Sequence, residues 1–177
     1  MKYVAFLRGV NVGGNSKVDM KILVSNLKNR NEISVSSILN SGNLLMESNI
    51  NGLVLESIIT EILNNEFKIP IKTFVIEYAS IIEILNNIPF STNENEKSKQ
   101  LVYILEKTID ETILENIKND SRIFENIYLY KNYLYVYYTN GIGRSKLTTK
   151  YIEDKLMMET TGRNINTIKL IHEKGKS

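Results

Sequence analysis

A chain of 177 residues with 42% apolar and 24% charged content has the makeup of an ordinary globular protein, long enough for one large domain or two small ones. It has no cysteine and one histidine, which removes disulfides, thiolate chemistry and the familiar zinc sites and makes a reducing cytoplasm the natural compartment. No apolar run approaches the roughly 20 residues that span a bilayer, the first residues carry no export cleavage signal, and a net charge of +2 is too small for bulk attraction to nucleic acid.

Lys2–Leu7 is a compact apolar run with Tyr3, Val4 and Phe6 and reads as a buried strand. Residues 8–18 hold Gly9, Asn11, Gly13, Gly14 and Asn15 and must form a loop. Asp19 then caps a helix with Met20, Leu23, Val24 and Leu27 on one face. Residues 33–39 and 44–47 read as two strands joined by Asn40-Ser41-Gly42-Asn43, a turn rich in residues that tolerate positive φ. Helical spacing follows over 53–66, and a β-branched strand over 71–76 after Pro70. Strand, helix, strand, strand, helix, strand is the split βαβ, ferredoxin-like order. A third helix over about 80–87 precedes Pro89, and the polar stretch 91–99 is the linker candidate.

The pattern then restarts. Gln100–Leu105 reads as a strand, Asp110 caps a helix, and 123–130 and 133–138 form a second hairpin. A helix over about 145–158 follows, then a Thr-Thr-Gly-Arg turn and a last helix from near Asn164. The sequence thus predicts an α+β fold of two ferredoxin-like halves, 1–90 and 100–177, the second lacking its closing strand. In such a sheet the first and second strands run parallel, so the loop leaving Leu7 and the turn at Asn40 should be neighbours.

Candidate chemistry gathers in four glycine- and asparagine-rich turns. The first loop combines many backbone amides with Arg8 and Lys17 just before a helix, the ingredients of an anion site. It is not a P-loop, because Gly14 is followed by Asn15-Ser16. The alternative is that the glycines only permit a tight path while Arg8 pairs with a carboxylate. Next comes Asn140-Gly141-Ile142-Gly143-Arg144-Ser145-Lys146-Leu147, read as placing Arg144 and Lys146 in the first turn of a helix. Cations there oppose the helix dipole unless an anion lies between them. Thr161-Gly162-Arg163-Asn164 completes the set, with Asn164 as a helix cap. The expected ligand-binding residues are Arg8, Gly9, Asn11, Gly13, Gly14, Lys17, Ser41, Gly42, Asn43, Gly143, Arg144, Ser145, Lys146, Arg163 and Asn164, with no cofactor or metal.

Tyrosines 128, 130, 133, 135 and 137 should share one face of the second hairpin, with Tyr130 opposite Tyr133 and Tyr128 opposite Tyr135. Ile127, Leu129, Leu134 and Val136 then face the core. The tyrosine face would pack inside the molecule, cover a homodimer partner, or stack bases. His172, in the last helix, reads as a surface or packing residue, and Ser145-Lys146 is a dyad only if the two side chains touch.

In chain order, Leu7-Arg8-Gly9-Val10-Asn11-Val12-Gly13-Gly14, Ser41-Gly42-Asn43, Pro89-Phe90, Gly141-Ile142-Gly143-Arg144-Ser145-Lys146-Leu147 and Thr161-Gly162-Arg163-Asn164 with Asn166-Thr167 resemble a bacterial family, domain of unknown function 1697. The resemblance spans essentially the whole chain and implies two ferredoxin-like halves, but no activity or catalytic residue. Asn40 stands where the family often has Gln, Ile88 where it has Asn, Asn140 where it has Asp and Ile165 where it has Trp. The chain therefore lacks the carboxylate and the stacking ring at the last two places. The favoured function is binding of a small anionic or phosphorylated ligand; the alternatives are RNA or single-stranded nucleic-acid binding, or a non-catalytic interaction module built on the tyrosine hairpin.

Overall fold

The computed structural model describes residues 1–12, 16–30, 32–91 and 99–176. Two four-stranded antiparallel sheets, interleaved with helices, give an α+β architecture. The chain divides into two compact units, residues 1–82 with 170–177 and residues 83–169.

The first unit contains β1 (Lys2–Leu7), α1 (Met20–Lys28), β2 (Ile33–Ile38), β3 (Asn43–Ser48), α2 (Gly52–Phe67) and β4 (Thr73–Glu77). Its strands are ordered β2-β3-β1-β4, the order of a ferredoxin-like sheet. Asp19 caps α1 as expected, its carboxylate accepting from the amides of Lys21 at 2.8 Å and Ile22 at 3.3 Å. Leu23, Leu27, Leu55, Ile59 and Leu63 of the two helices pack on Tyr3, Ala5, Leu7, Leu44 and Met46 of the sheet, forming one core. Lys68, with φ of 57°, ends α2 in a left-handed cap.

The second unit contains β5 (Gln100–Leu105), α4 (Glu111–Lys118), β6 (Asn126–Tyr130), β7 (Tyr133–Tyr137), α5 (Thr149–Leu156) and β8 (Thr160–Asn164). Its strand order, β6-β7-β5-β8, repeats that of the first sheet. The second half is therefore not short of its closing strand. β8 supplies it, built from the segment read as a turn, and pairs antiparallel with β5. Thr160 and Thr161 are β-branched and buried there. Gly162 lies directly across from Tyr103, and a Cβ on it would come within 2.7 Å of that ring. The glycine read as part of a turn makes room for an aromatic neighbour.

The division also differs from the sequence boundaries. It falls inside α3 (Tyr78–Asn86), and again inside α6 (Ile165–Gly175), whose last turns belong to the first unit. Lys2 Nζ donates to the Gly175 carbonyl at 2.7 Å, and the Tyr78 hydroxyl donates to the His172 carbonyl at 2.7 Å, tying that tail down. Most of the expected linker, residues 92–98, lies outside the described residues. Among the described residues no helix is long and apolar enough to cross a membrane.

Candidate functional site

The loop leaving β1 and the β2–β3 turn meet, as the topology requires. Leu7 N donates to the Gly42 carbonyl at 2.8 Å, and Arg8 N to that of Lys72 at 3.0 Å. Asn11, held at φ of 55°, bridges the two segments: Nδ2 donates to the carbonyls of Val18 at 2.9 Å and Asn40 at 2.7 Å, while Oδ1 accepts from Val18 N at 3.0 Å. Asparagine suits this place because it tolerates left-handed backbone and carries both a donor and an acceptor. Gly42, at φ of 77°, lets Val10 and Leu7 press on the turn, since a Cβ would come within 2.8 Å of Leu7 Cβ. Asn43 is fully buried, donating to the Ile38 carbonyl at 2.9 Å and to Ser41 Oγ at 3.1 Å. Asn11, Gly42 and Asn43 thus build the junction itself. Gly13 and Gly14 lie outside the described residues.

Beside this junction opens a cleft of about 760 Å³. Lys17, Asp19 and Lys21 line it from the α1 side, and Asn11, Ser37 and Asn40 from the loop and hairpin. Lys17 and Lys21 are exposed. The Asp19 carboxylate is engaged by the first amides of α1, so those amides are satisfied within the protein. The cleft thus holds two ammonium groups and the capping carboxylate, with amide and hydroxyl neighbours. Lys21 and Ser37 escaped the sequence reading because they reach the cleft through the placement of α1 over the hairpin.

The second motif is built differently from its sequence appearance. Gly141, at φ of 84°, opens a single 3-10 turn, Ile142–Arg144, and α5 starts only at Thr149 with Thr148 as its cap. Arg144 and Lys146 therefore precede the helix instead of occupying its first turn, and the conflict with the helix dipole disappears. Both are exposed. Ser145 Oγ accepts from Leu147 N at 2.9 Å. Leu147 is buried, and its carbonyl accepts from Tyr138 Oη at 3.0 Å; Tyr138 lies in turn 2.7 Å from the Tyr103 hydroxyl. The motif locks a loop onto the second core.

Arg163 lies in β8, only 9% exposed, and donates to Thr161 Oγ1 at 2.8 Å and the Gly162 carbonyl at 2.9 Å. Burial pushes its guanidinium down to about 10, still charged at neutral pH. Asn164 Oδ1 accepts from Asn166 N at 2.9 Å, the capping role expected of it. Arg8 belongs to the first unit, and Arg144 and Arg163 to the second.

The tyrosine hairpin has the expected register, Tyr128 opposite Tyr135 and Tyr130 opposite Tyr133. Its aliphatic residues join the core of the second unit. On the other face, Tyr133 and Tyr135 are buried, the Tyr135 hydroxyl donates to the Ile84 carbonyl at 2.9 Å, and Tyr137 packs on Phe90 at 5.8 Å between centroids. Lys131, in the turn, forms an ion pair with Glu83. His172 Nδ1 lies 3.0 Å from the Tyr78 hydroxyl, a packing role. Among the described residues no three His, Asp or Glu side chains gather as metal ligands do.

Comparison with curated proteins found no match. Among solved structures, a conserved bacterial protein from Streptococcus pneumoniae, SP0830, is similar with a TM-score of 0.74 at 20% identity, covering 97% of each chain. That likeness concerns the fold. A family model covers residues 1–135, which includes the first loop, the β2–β3 turn and the tyrosine hairpin as far as Tyr135. The chain belongs to the family described as Protein of unknown function (DUF1697).

Proposed function

We propose that the cleft beside the first loop binds a small anionic or phosphorylated ligand through Lys17 and Lys21. One observation supports it above the others: two exposed lysines border a cleft whose carboxylate, Asp19, is committed to capping α1. Ammonium groups act as mobile point charges and suit a phosphate or carboxylate approached from several directions. Asn40 and Ser37 add neutral hydrogen-bonding groups at the rim. Because both lysines are solvated, the affinity falls in the high-micromolar to millimolar range, about −4 to −5.5 kcal/mol, and weakens with salt. A cytoplasmic setting suits a chain with no cysteine.

Thermal-shift measurements with inorganic phosphate, mononucleotides and di- or tricarboxylates test this. At least one should raise the melting temperature of the parent, and the Lys17→Ala/Lys21→Ala variant should lose the response while Arg144→Ala keeps it. The proposal fails if no anion stabilises the parent, or if the double variant responds as the parent does.

A further inference from the structure

The first sheet ends in an open edge. β2 reads Ile-Ser-Val-Ser-Ser-Ile; Ser34 and Ser36 lie on the outer face, Ser37 lies on the face of Ile33 and Val35 beside the cleft, and all three serines are exposed. Among the described residues, Ser34, Val35, Ser36 and Ser37 make no backbone hydrogen bond beyond those to β3. Natural edge strands are usually guarded by lysine, proline, a bulge or a covering segment. β2 has no charge, no proline and no glycine, and its partner residues run without a bulge from Ile33 opposite Ser48 to Ile38 opposite Asn43.

Exposed side chains of opposite sign stand at the two ends of this edge. At the Ser37 end lies the cleft with Lys17, Asp19 and Lys21. At the Ile33 end lies a second depression bordered by Glu32, by the Met1 ammonium and by Glu47, which is paired with Lys2 at 3.2 Å. Six residues at about 3.4 Å each separate the two ends by roughly 17 Å.

We propose that the β2 edge is a self-association surface, on which a second copy of this chain pairs antiparallel across a two-fold axis. Such an isologous contact brings each end of one strand to the opposite end of the other. An axis through Val35 or Ser36 sets Glu32 of each copy across from residues 38–40 of the second copy, beside its lysine cleft. Glu32 of each copy thus meets the lysine cleft of the other, twice. A parallel arrangement would set Glu32 against Glu32 and lysine cleft against lysine cleft. The same axis keeps the helix-covered faces of the two sheets on one side and sets serine hydroxyls against one another along the outer face.

Sedimentation velocity on the full chain, from micromolar to several hundred micromolar, tests the proposal. The parent should associate to a dimer. Ser36→Lys places like charges on adjacent strands and should raise the dissociation constant about tenfold or more; Ser34→Lys repeats the test at a second exposed position, and circular dichroism checks that both variants fold. Lys21→Glu and Glu32→Lys should each weaken the dimer, and mixing those two variants should restore it as a heterodimer. A parent that stays monomeric overturns the proposal, as does a folded Ser36→Lys that dimerises like the parent. A mixture that fails to pair overturns the antiparallel arrangement. Lys21 serves both this surface and the anion cleft, so Ser36→Lys separates them: it alters association and leaves the phosphate response in place.

Discussion

Adding one methyl group at Gly162 should unsettle the second unit. The Cβ of alanine there would sit 2.7 Å from Tyr103 Cε1 and 3.0 Å from Cδ1, inside normal contact distance. Gly162 is not at positive φ, so the cost is packing alone. Tyr103 is 2% exposed, and its hydroxyl lies 2.7 Å from that of Tyr138, which donates to the Leu147 carbonyl. The ring cannot retreat without disturbing that chain. Overpacking plus a weakened buried hydrogen bond gives about 2–4 kcal/mol, or a fall of roughly 4–16 °C in Tm for a chain of this size. Urea unfolding followed by circular dichroism measures it. Gly143→Ala is the control, since nothing lies within 4 Å of a Cβ at Gly143, and it should stay within about 0.5 kcal/mol of the parent. In a Tyr103→Leu background, Gly162→Ala should cost less than about 1 kcal/mol, because the ring that clashes is gone. If Gly162→Ala is neutral, or costs the same in both backgrounds, the glycine is not there for Tyr103.

Asn11→Ala removes the bridge between the first loop and the β2–β3 turn and leaves at φ of 55° a residue that tolerates left-handed backbone less well than asparagine. It should destabilise by about 1–3 kcal/mol and speed amide exchange at Val18, whereas Asn11→Gly recovers only the backbone share; unchanged exchange at Val18 would remove the bridging role. Asp120 gives a pH signature. Hydrogen bonds from the Arg122 side chain, and then from the Tyr151 hydroxyl, hold its carboxyl well below the usual carboxylate range. A pKa lowered on folding stabilises above the unfolded value of about 4 and loses that contribution as pH falls below it. Asp120→Asn should therefore be less stable than the parent at pH 7, with the gap narrowing toward pH 2 in urea midpoints; a gap that stays constant with pH would contradict the assignment.

The parts legible in the sequence were those written in local periodicity. Alternation fixed the pairing of Tyr128 with Tyr135 before any coordinates, and strand order alone brought Asn11 to Asn40. The misses were non-local. Thr-Thr-Gly-Arg has the composition of a turn, and only Tyr103 on the neighbouring strand explains why a strand carries glycine there. The delayed start of α5 has the same origin: Tyr138 draws Leu147 into the core, and the chain turns helical only after Thr148. Lys21 and Ser37 joined the cleft through packing of α1 against the hairpin, for which spacing along the chain gives no rule.

A glycine or asparagine in a turn counts as a sign of function only while its geometry lacks another cause. Asn11 and Asn43 close hydrogen bonds that hold the first junction. Gly42 and Gly162 admit neighbouring side chains, and Ser145 and Asn164 satisfy backbone amides. Arg163 is buried and bonded within β8. These residues would be required in a protein that bound nothing. Lys17 and Lys21 differ in kind, because both are exposed at the border of the cleft and neither belongs to the packed core. Exposed charge that packing does not use marks where a negative partner belongs, whether a free anion in the cleft or Glu32 of a second copy.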